Sequence, residues 1–329
     1  MEFELFPQQF RVNQSVGQLG SPLNVPALIA NAGDRATLRF IEFFTAHIRN
    51  PGTRSVYAHC VRQFCDWCES KGIELKTVSP FIVAAFIEKL THHYSAPTVK
   101  LHLSAIRMLF DYLVVGQVIP LNPAASVRGP KHVVTIGKTP VLTAEEARDL
   151  LDSIDCSKII GLRDRALIGV MVYSFARVSA TIGMNVEDYY PQGRRMWFRL
   201  HEKGGKHHAV PSHHNATLYM DEYIEAANIK DQPRGPLFRT VSRERKLTLN
   251  RLRRTDVLRM IKYRAKAAGL PGSICCHTFR ATGITCYLQN GGLLEHAQNI
   301  AHHNSVRTTK LYDRRSDAVG LDEIERIVI

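Results

Sequence analysis

A proline- and glycine-rich stretch divides the 329-residue chain into two parts. It contains Asn122-Pro123, Arg128-Gly129-Pro130-Lys131 and Lys138-Thr139-Pro140, and its charged residues are all basic. Because proline lacks a backbone donor and glycine loosens the chain, such a stretch favours an extended connector over a helix or a central strand. We therefore predict an interdomain linker over residues 126–141, in a chain long enough for two domains with separate cores.

Helical periodicity dominates the part before the linker. From Asp34 the apolar residues recur at spacings of three and four, Asn50-Pro51-Gly52 is interpreted as the end of that helix, and the next begins after Thr53. Helices are also predicted over 80–92 and 96–115. Residues 34–125 are thus predicted to form an α-helical domain, and residues 1–33, which lack periodicity, an N-terminal arm.

The part after the linker mixes helices with a small β element. Thr143 and Glu146 have capping-box spacing at the start of a helix, and 165–175 is predicted to be a buried helix. The segments 195–200 and 207–211 predict a hairpin across a glycine turn. Residues 142–329 therefore read as a mixed α+β domain, and the whole chain as mostly α with a small antiparallel β element.

Composition favours a polyanionic partner. Forty-three Lys and Arg against thirty Asp and Glu give a formal charge of +13, which favours nucleic acid first and an anionic membrane second. The longest apolar stretch, 166–173, is too short to span a bilayer, and the start lacks the basic region of a signal peptide, so we predict a cytoplasmic protein. Seven cysteines, an odd number, indicate reduced thiols, and we interpret Cys65 and Cys68 as apolar residues of a helix face.

Several familiar kinds of site are missing from the sequence. It contains no Walker-type phosphate loop, no G-x-G-x-x-G, no G-x-S-x-G and no H-E-x-x-H. Four histidines, His207, His208, His213 and His214, lack the spacing of a metal site and are interpreted as solvated turn residues.

Cationic and imidazole groups followed by a tyrosine stand out in the C-terminal third. His277 and Arg280 are three residues apart on a predicted helix, so both can point at one phosphate. His303 follows, Tyr312 comes nine residues later, and Arg177 lies just past the buried helix. Taken singly, H-x-x-R is more typical of a surface helix face and a tyrosine of ordinary packing.

Together these residues resemble the tyrosine recombinases, or phage integrases, over about residues 35–325. The resemblance implies that residues 34–125 are the family's α-helical core-binding domain and residues 142–329 its catalytic domain. The family has an arginine after an apolar helix, a lysine at a hairpin turn, H-x-x-R, a histidine in a G-H-like motif and a tyrosine about nine residues later. The matches, in order, are Arg177, Lys203, His277, Arg280, His303 and Tyr312. Two positions depart from the family: Ala180 stands where many members have an acidic residue, and His302 where a glycine is usual.

The resemblance implies a site-specific DNA recombinase that cleaves and rejoins strands through a covalent 3′-phosphotyrosyl intermediate at Tyr312, without metal or nucleotide cofactors. Arg177 and Arg280 are expected to bind the phosphate, His303 to hydrogen-bond it, and His277 to accept the phenol proton. Lys203 is expected to protonate the leaving oxygen, with Lys206 as the alternative.

The predicted partners are double-stranded DNA with specific recombination sites and three further copies of the chain. The tail 321–329 is expected to dock on a neighbouring protomer of a homo-tetramer, accessory DNA-bending proteins are further partners, and the source is expected to be a bacterial chromosome or mobile element. Candidate DNA contacts are Arg54, Lys100, His102, Arg107, Arg251, Arg253 and Arg254.

Two alternatives stay open at this point. A topoisomerase-like enzyme would nick and religate one duplex with the same chemistry and without a defined site. A DNA-binding regulator would keep the fold and lack cleavage.

Overall fold

The computed structural model describes residues 24–133, 137–202 and 206–314. The chain forms two compact units that divide after Val133. Within the described ranges, no helix is long and apolar enough to cross a membrane.

The described residues of the first unit form helices joined by loops and contain no strand, as the sequence predicts. Its α-helices are α1 (Ala27–Ala30), α2 (Asp34–Glu42), α3 (Pro51–Glu69), α4 (Pro80–Thr91) and α5 (Ala96–Val115). A π-helical segment, Phe43–His47, extends α2, and a short 3₁₀ turn, Leu75–Thr77, precedes α4.

The start of α3 differs from the expectation that Asn50-Pro51-Gly52 only ends a helix. Asn50 caps α3, because its Oδ1 accepts a hydrogen bond of 3.1 Å from the backbone N–H of Thr53. Pro51 occupies the first turn, where its missing N–H has no helical partner to lose. The helix therefore begins before Thr53 rather than after it.

Aromatic rings and cysteines fill the core of this unit. Phe64 packs edge to face against Phe86 and Phe110, with ring centroids 5.2 and 5.9 Å apart. Cys65 and Cys68 are buried beside them with free thiols, and burial raises the pKa of Cys68 to about 12. Both cysteines thus behave as the apolar helix residues that the sequence predicts.

Part of the predicted N-terminal arm belongs to this core. Leu28 and Ile29, on α1, are 4% and 0% exposed. The backbone N–H of Leu28 donates to Oε1 of Glu69 at 2.7 Å, which joins α1 to the end of α3. Periodicity failed to predict this element because a four-residue helix is shorter than two turns. Residues 1–23 of the arm lie outside the described residues.

The second unit is mostly helical with two small antiparallel sheets, which confirms the predicted fold class. Its helices are α6 (Ala144–Asp152), α7 (Ile159–Tyr173), α8 (Val178–Gly183), α9 (His214–Ala227), α10 (Arg254–Ala267), α11 (Cys276–Gln289), α12 (Leu294–Ala301) and α13 (Val306–Lys310). Its strands are β1 (Tyr189–Gln192), β2 (Arg195–Glu202), β3 (Lys206–Pro211), β4 (Arg239–Val241) and β5 (Leu247–Arg251). The sheets have the orders β1-β2-β3 and β4-β5.

Two local predictions in this unit match the structure. Thr143 and Glu146 form the predicted capping box at the start of α6. Strands β2 and β3 pair in the predicted antiparallel hairpin, with a register that runs from Trp197 opposite Pro211 to Glu202 opposite Lys206. The intervening residues 203–205 lie outside the described residues.

A close approach of α7 and α11 brings the site residues near one another. A Cβ on Gly283 would lie 2.0 Å from the carbonyl oxygen of Val172, so no larger residue fits at this point of α11. The loop after α7 carries Arg177, and α11 carries His277 and Arg280. The glycine therefore lets α11 pack directly against the end of α7.

Candidate active site

Tyr312 and His277 are in direct contact. The phenol Oη of Tyr312 lies 2.6 Å from Nε2 of His277, the second residue of α11. Tyr312 follows α13, and its backbone carbonyl accepts a 2.8 Å hydrogen bond from the hydroxyl of Thr285, also on α11. The tyrosine side chain is 7% exposed. The same helix thus holds the tyrosine at its backbone and meets its hydroxyl.

The linker's C-terminal end supports the segment that carries Tyr312. The backbone N–H of Gly137 donates to the carbonyl of Leu311 at 2.9 Å, and a guanidinium nitrogen of Arg314 donates to the carbonyl of Gly137 at 2.5 Å. A Cβ on Gly137 would approach the Leu311 carbonyl oxygen to 2.7 Å. Tyr312 is therefore flanked on both sides by residues bound to one short stretch of backbone.

Arg280 joins three segments around the tyrosine. It is 1% exposed, and its guanidinium donates to the carbonyl of Phe175, before Arg177, and at 2.6 Å to the carbonyl of Ala301, at the end of α12. Its Nε is buried and has no hydrogen-bond partner within the described ranges. Burial, together with the charge of Arg177, lowers the pKa of Arg280 to about 10, so the group remains cationic at neutral pH.

His303 packs against the ring of Tyr312. Its ring is stacked almost parallel to the Tyr312 ring, with centroids 5.8 Å apart, and its Nδ1 lies 2.9 Å from the hydroxyl of Thr309. When that hydroxyl donates to Nδ1, the neutral imidazole carries its proton on Nε2 and can donate from it. Burial and the charges of Arg280 and Arg177 lower the pKa of His303 to about 3, so the ring is neutral in the folded protein near pH 7.

Arg177, the second arginine of the site, lies at its edge. Arg177 is the N-cap residue of α8, and its side chain is 38% exposed. Its Nη1 lies 2.7 Å from Oε2 of Glu202, the last residue of β2, whose side chain is only 5% exposed. Arg177 is thus held by a carboxylate on one side and remains open to a ligand.

Burial and nearby positive charges set the pKa values of His277 and Tyr312. Burial lowers the pKa of His277, and the charges of Arg280 and Arg177 lower it further, so its imidazole is neutral near pH 7. Burial raises the pKa of the Tyr312 phenol, whereas the charge of Arg280, followed by that of Arg177, acts in the opposite direction. A neutral imidazole that accepts a hydrogen bond from a phenol flanked by two guanidinium groups can take up the proton of that phenol.

Comparison with protein-family models finds two matches. The phage integrase family model matches residues 140–318, more than half of the chain. The model of the phage integrase N-terminal SAM-like domain matches residues 40–116. The chain belongs to the phage integrase family. Its predicted class, a tyrosine-type site-specific recombinase, is confirmed.

Relatives of this recombinase include enzymes that carry the name tyrosine recombinase. XerC of Chlamydia muridarum is 30% identical over 230 residues, 69% of each chain. XerC of Chlamydia trachomatis serovar L2 is 29% identical over 229 residues, again 69% of each chain. XerD of Listeria innocua is 28% identical over 222 residues, which cover 66% of this chain and 71% of the relative.

Two solved structures share the recombinase fold. The XerH site-specific recombinase bound to its difH substrate before cleavage superposes with a TM-score of 0.62 at 20% identity, covering 83% of this chain and 78% of the other. A lambda integrase dimer bound to a COC′ core site gives a TM-score of 0.64 at 18% identity, covering 86% and 78%.

The structure gives a physical account of the departure at His302. This residue ends α12 in the left-handed conformation with φ of 49°, the region where glycine is unstrained. Its ring stacks on His208 with centroids 4.7 Å apart, and Nε2 of His208 lies 3.1 Å from the carbonyl of Ile300. His208 lies in β3 and packs on α12, so the interpretation of His208 as a solvated turn residue is wrong.

Four residues predicted to contact DNA are hydrogen-bonded to the protein backbone or buried in the core. Arg54 donates to the carbonyl of Ile48, and Arg107 donates to the carbonyls of Ala124 and Val127.

His102 is 2% exposed, so it packs in the first unit rather than facing a groove. Arg251 donates to the carbonyls of Ile182 and Met184 at 2.7 Å each, which joins β5 to the end of α8. These contacts assign structural roles to the four side chains. Lys100, Arg253 and Arg254 are exposed and stay candidates for DNA contact.

Two predicted features of the recombinase lie outside the described residues: Lys203, at the hairpin turn, and the tail 321–329. Sequence reasoning missed two polar partners in the site, Glu202 and Thr309. The signal for Glu202 was its place directly before Lys203. In the described part of the chain, no group of three or more His, Cys, Asp or Glu side chains could hold a metal ion.

Proposed function

We infer that this recombinase cleaves DNA at specific sites with Tyr312 as the nucleophile, acting on DNA bound by its own protomer. The observation that carries this proposal is the 2.6 Å contact between Oη of Tyr312 and Nε2 of His277 in the same chain. The tyrosine is already beside its proton acceptor and the two arginines, so no second protomer has to supply it.

The reaction begins with proton transfer and attack. As Oη of Tyr312 bonds to the scissile phosphorus, its proton passes to Nε2 of His277, and the bond from phosphorus to the 5′-oxygen breaks. The products are a 3′-phosphotyrosyl link and a free 5′-hydroxyl. Because one phosphate ester replaces another, a 5′-hydroxyl can reverse the step and rejoin the strand without ATP.

Three groups would stabilise charge on the phosphoryl oxygens. Arg177 is open to solvent on one side, Arg280 has a buried Nε without a hydrogen-bond partner among the described residues, and His303 can donate from Nε2. Hydrogen bonds from fixed donors to a developing oxyanion are worth about 3 to 4 kcal/mol each in a site that excludes water. The charges of both arginines act to lower the pKa of the Tyr312 phenol, and the His303 ring stacks on the Tyr312 ring, which supports a phosphate site around the nucleophile.

The departing 5′-oxygen needs a proton, and we assign this step to Lys203. It directly follows Glu202, which contacts Arg177, so the hairpin starts at the edge of the site. Lys206, three residues later, is the alternative.

The substrate is double-stranded DNA with recombination sites, bound by both units of the chain. The +13 charge supports this assignment, and the exposed Lys100, Arg253 and Arg254 are the proposed phosphate contacts. XerH and lambda integrase were solved with such DNA. We assign the protein to a bacterial cytoplasm and to a homo-tetramer on DNA, in which the tail 321–329 docks on a neighbour and accessory proteins bend the DNA.

Covalent capture tests this assignment. The full-length protein is incubated with fragmented genomic DNA of its source and with a randomised nicked duplex library, in a chelator and without ATP. Adducts that survive denaturation are isolated, and their DNA is sequenced. We expect adducts from the wild type, none from Tyr312→Phe, and wild-type levels from Tyr263→Phe, which alters an exposed tyrosine on α10.

Three results would contradict the proposal. Adducts that persist in Tyr312→Phe would exclude this nucleophile. Captured DNA without any shared sequence, with relaxation of supercoiled plasmid, would favour the topoisomerase-like alternative. DNA binding without adducts in the wild type would favour the regulator.

A further inference from the structure

A carboxylate in the active site has no counterpart in the set of six matched residues. Glu202 ends β2, is 5% exposed at its side chain, and contacts Nη1 of Arg177 at 2.7 Å. It is the only side-chain partner of Arg177 among the hydrogen bonds and ion pairs of the described ranges. A nearly buried carboxylate needs such a partner, because an unpaired buried charge is strongly unfavourable.

The place where an acidic residue would be expected is apolar in this chain. Ala180 lies on α8, one turn after Arg177, and is 1% exposed in the core of the second unit. Its methyl side chain has no polar atom that could orient a guanidinium. The carboxylate that contacts Arg177 therefore comes from a different element, the strand that leads into the hairpin.

We propose that Glu202 is a positioning residue for cleavage, which fixes the Arg177 guanidinium for the scissile phosphate in place of an acidic residue at position 180. This role rests on the proposed function of Arg177. A guanidinium has five N–H donors in one plane. Glu202 engages the group through Nη1, which holds one edge of that plane and leaves Nη2 and Nε for the phosphate oxygens.

Glu202 also offsets part of the positive charge in the site. Arg177 and Arg280 each carry a full charge, and each lowers the pKa of His277. The Glu202 carboxylate acts in the opposite direction on Arg280 and on His208, where it raises the pKa. A single carboxylate thus holds one arginine by contact and stabilises the cationic form of the other through space.

The first test measures the pairing and needs no DNA. Phenylglyoxal labelling of Arg177 is followed by mass spectrometry in the wild type, in Glu202→Gln, and in Glu222→Gln as the matched control. Glu222 pairs with Arg165 between α9 and α7, so its loss removes the same kind of ion pair outside the site. We expect Glu202→Gln alone to speed the labelling of Arg177 several-fold. Equal rates in all three proteins would overturn the pairing.

The second test asks whether the pairing serves the reaction. Adduct formation is timed on a nicked duplex recovered by covalent capture, with either an ordinary phosphodiester or a neutral methylphosphonate at the scissile position. Loss of a charge-assisted hydrogen bond predicts a 10- to 100-fold slower reaction of Glu202→Gln on the phosphodiester, in order of magnitude. On the methylphosphonate, which carries no charge for Arg177 to neutralise, the loss should shrink to less than about 3-fold.

The outcomes distinguish a failure of the positioning role of Glu202 from a failure of the proposed DNA cleavage by Tyr312. Equal losses on both substrates would indicate general damage to the fold and would overturn the positioning role, as would the absence of any loss on the phosphodiester. A wild type that forms no adduct on any duplex would overturn the proposed function instead, and the labelling result would still decide whether Glu202 holds Arg177.

Discussion

Acid should destabilise the second unit through the buried imidazole of His303. The ordinary pKa of histidine is about 6.5, and in the folded protein that of His303 is lowered to about 3. Between these values the unfolded chain binds a proton that the folded protein does not, so stability falls as the pH falls. The contribution is fully present above about pH 6.5. At about pH 5 the loss, RT ln(1 + 10^1.5), is about 2 kcal/mol.

The two tryptophans allow this change to be measured in one unit. Trp67 lies on α3 and Trp197 on β2, so in a Trp67→Phe background the fluorescence reports only the second unit. Urea unfolding is followed at about pH 7.5 and about pH 5, with and without His303→Gln. We expect the parent to lose about 2 kcal/mol more than the His303→Gln variant over this interval.

The comparison cancels the other histidines of the unit. His277 and His208 also have pKa values lowered by burial, and both residues are present in the parent and in the variant. Equal losses in the parent and in His303→Gln would refute the reasoning. So would an NMR titration in which the His303 ring of the folded protein takes up its proton near pH 6.5.

Three further predictions concern the packing and chemistry of the site. Gly283→Ala should lower the free energy of unfolding by about 3 kcal/mol in the same fluorescence assay, because its Cβ would lie 2.0 Å from the carbonyl oxygen of Val172. Gly137→Ala should slow adduct formation about 10- to 100-fold with little change in stability, because its Cβ would lie 2.7 Å from the Leu311 carbonyl oxygen and displace the nucleophile. The rate of adduct formation should stay constant down to about pH 6.5 and decline only below it, as His277, whose pKa is lowered, becomes protonated.

Alanine variants at two other glycines serve as controls for the two glycine predictions. Gly183→Ala and Gly272→Ala place a Cβ where no atom lies within 4 Å, and both should leave stability and cleavage almost unchanged. A Gly283→Ala protein as stable as these controls would contradict the close approach of α7 and α11. If Gly137→Ala cleaves at the wild-type rate, the contact between Gly137 and Leu311 does not position Tyr312. A rate that falls already between about pH 8 and pH 7 would exclude a lowered pKa for His277.

Sequence patterns were most informative where local chemistry decides the structure. The capping box at Thr143 depends on residues three positions apart, and the β2–β3 hairpin depends on alternation around a glycine turn, so both could be read directly. The spacing of His277 and Arg280 on one helix likewise predicted their common face. The structure brings both of them to Tyr312, whose position 35 residues after His277 could be linked to them only through the family resemblance.

Charge alone predicted function poorly. The sequence predicted a major-groove contact for Arg107 and a phosphate contact for Arg251, yet their guanidinium groups bind backbone carbonyls of distant segments. Two nitrogens of Arg280 bind the carbonyls of Phe175 and Ala301, which is a structural role. Its Nε has no hydrogen-bond partner in the described part of the chain and is left for a ligand. An arginine in a sequence carries the same donors in each case, and only the fold decides how many remain for DNA.

Glu202 shows why the site needed a three-dimensional structure. The absence of a carboxylate at position 180 raised the question of how Arg177 is oriented, and a search near Ala180 in sequence could not answer it. The carboxylate that contacts Arg177 is 25 residues away in the chain, on a strand that the fold brings to the N-terminus of α8. Because Glu202 also directly precedes Lys203, its place on β2 connects the orientation of Arg177, the proposed phosphate-binding arginine, to the hairpin that carries the proposed general acid.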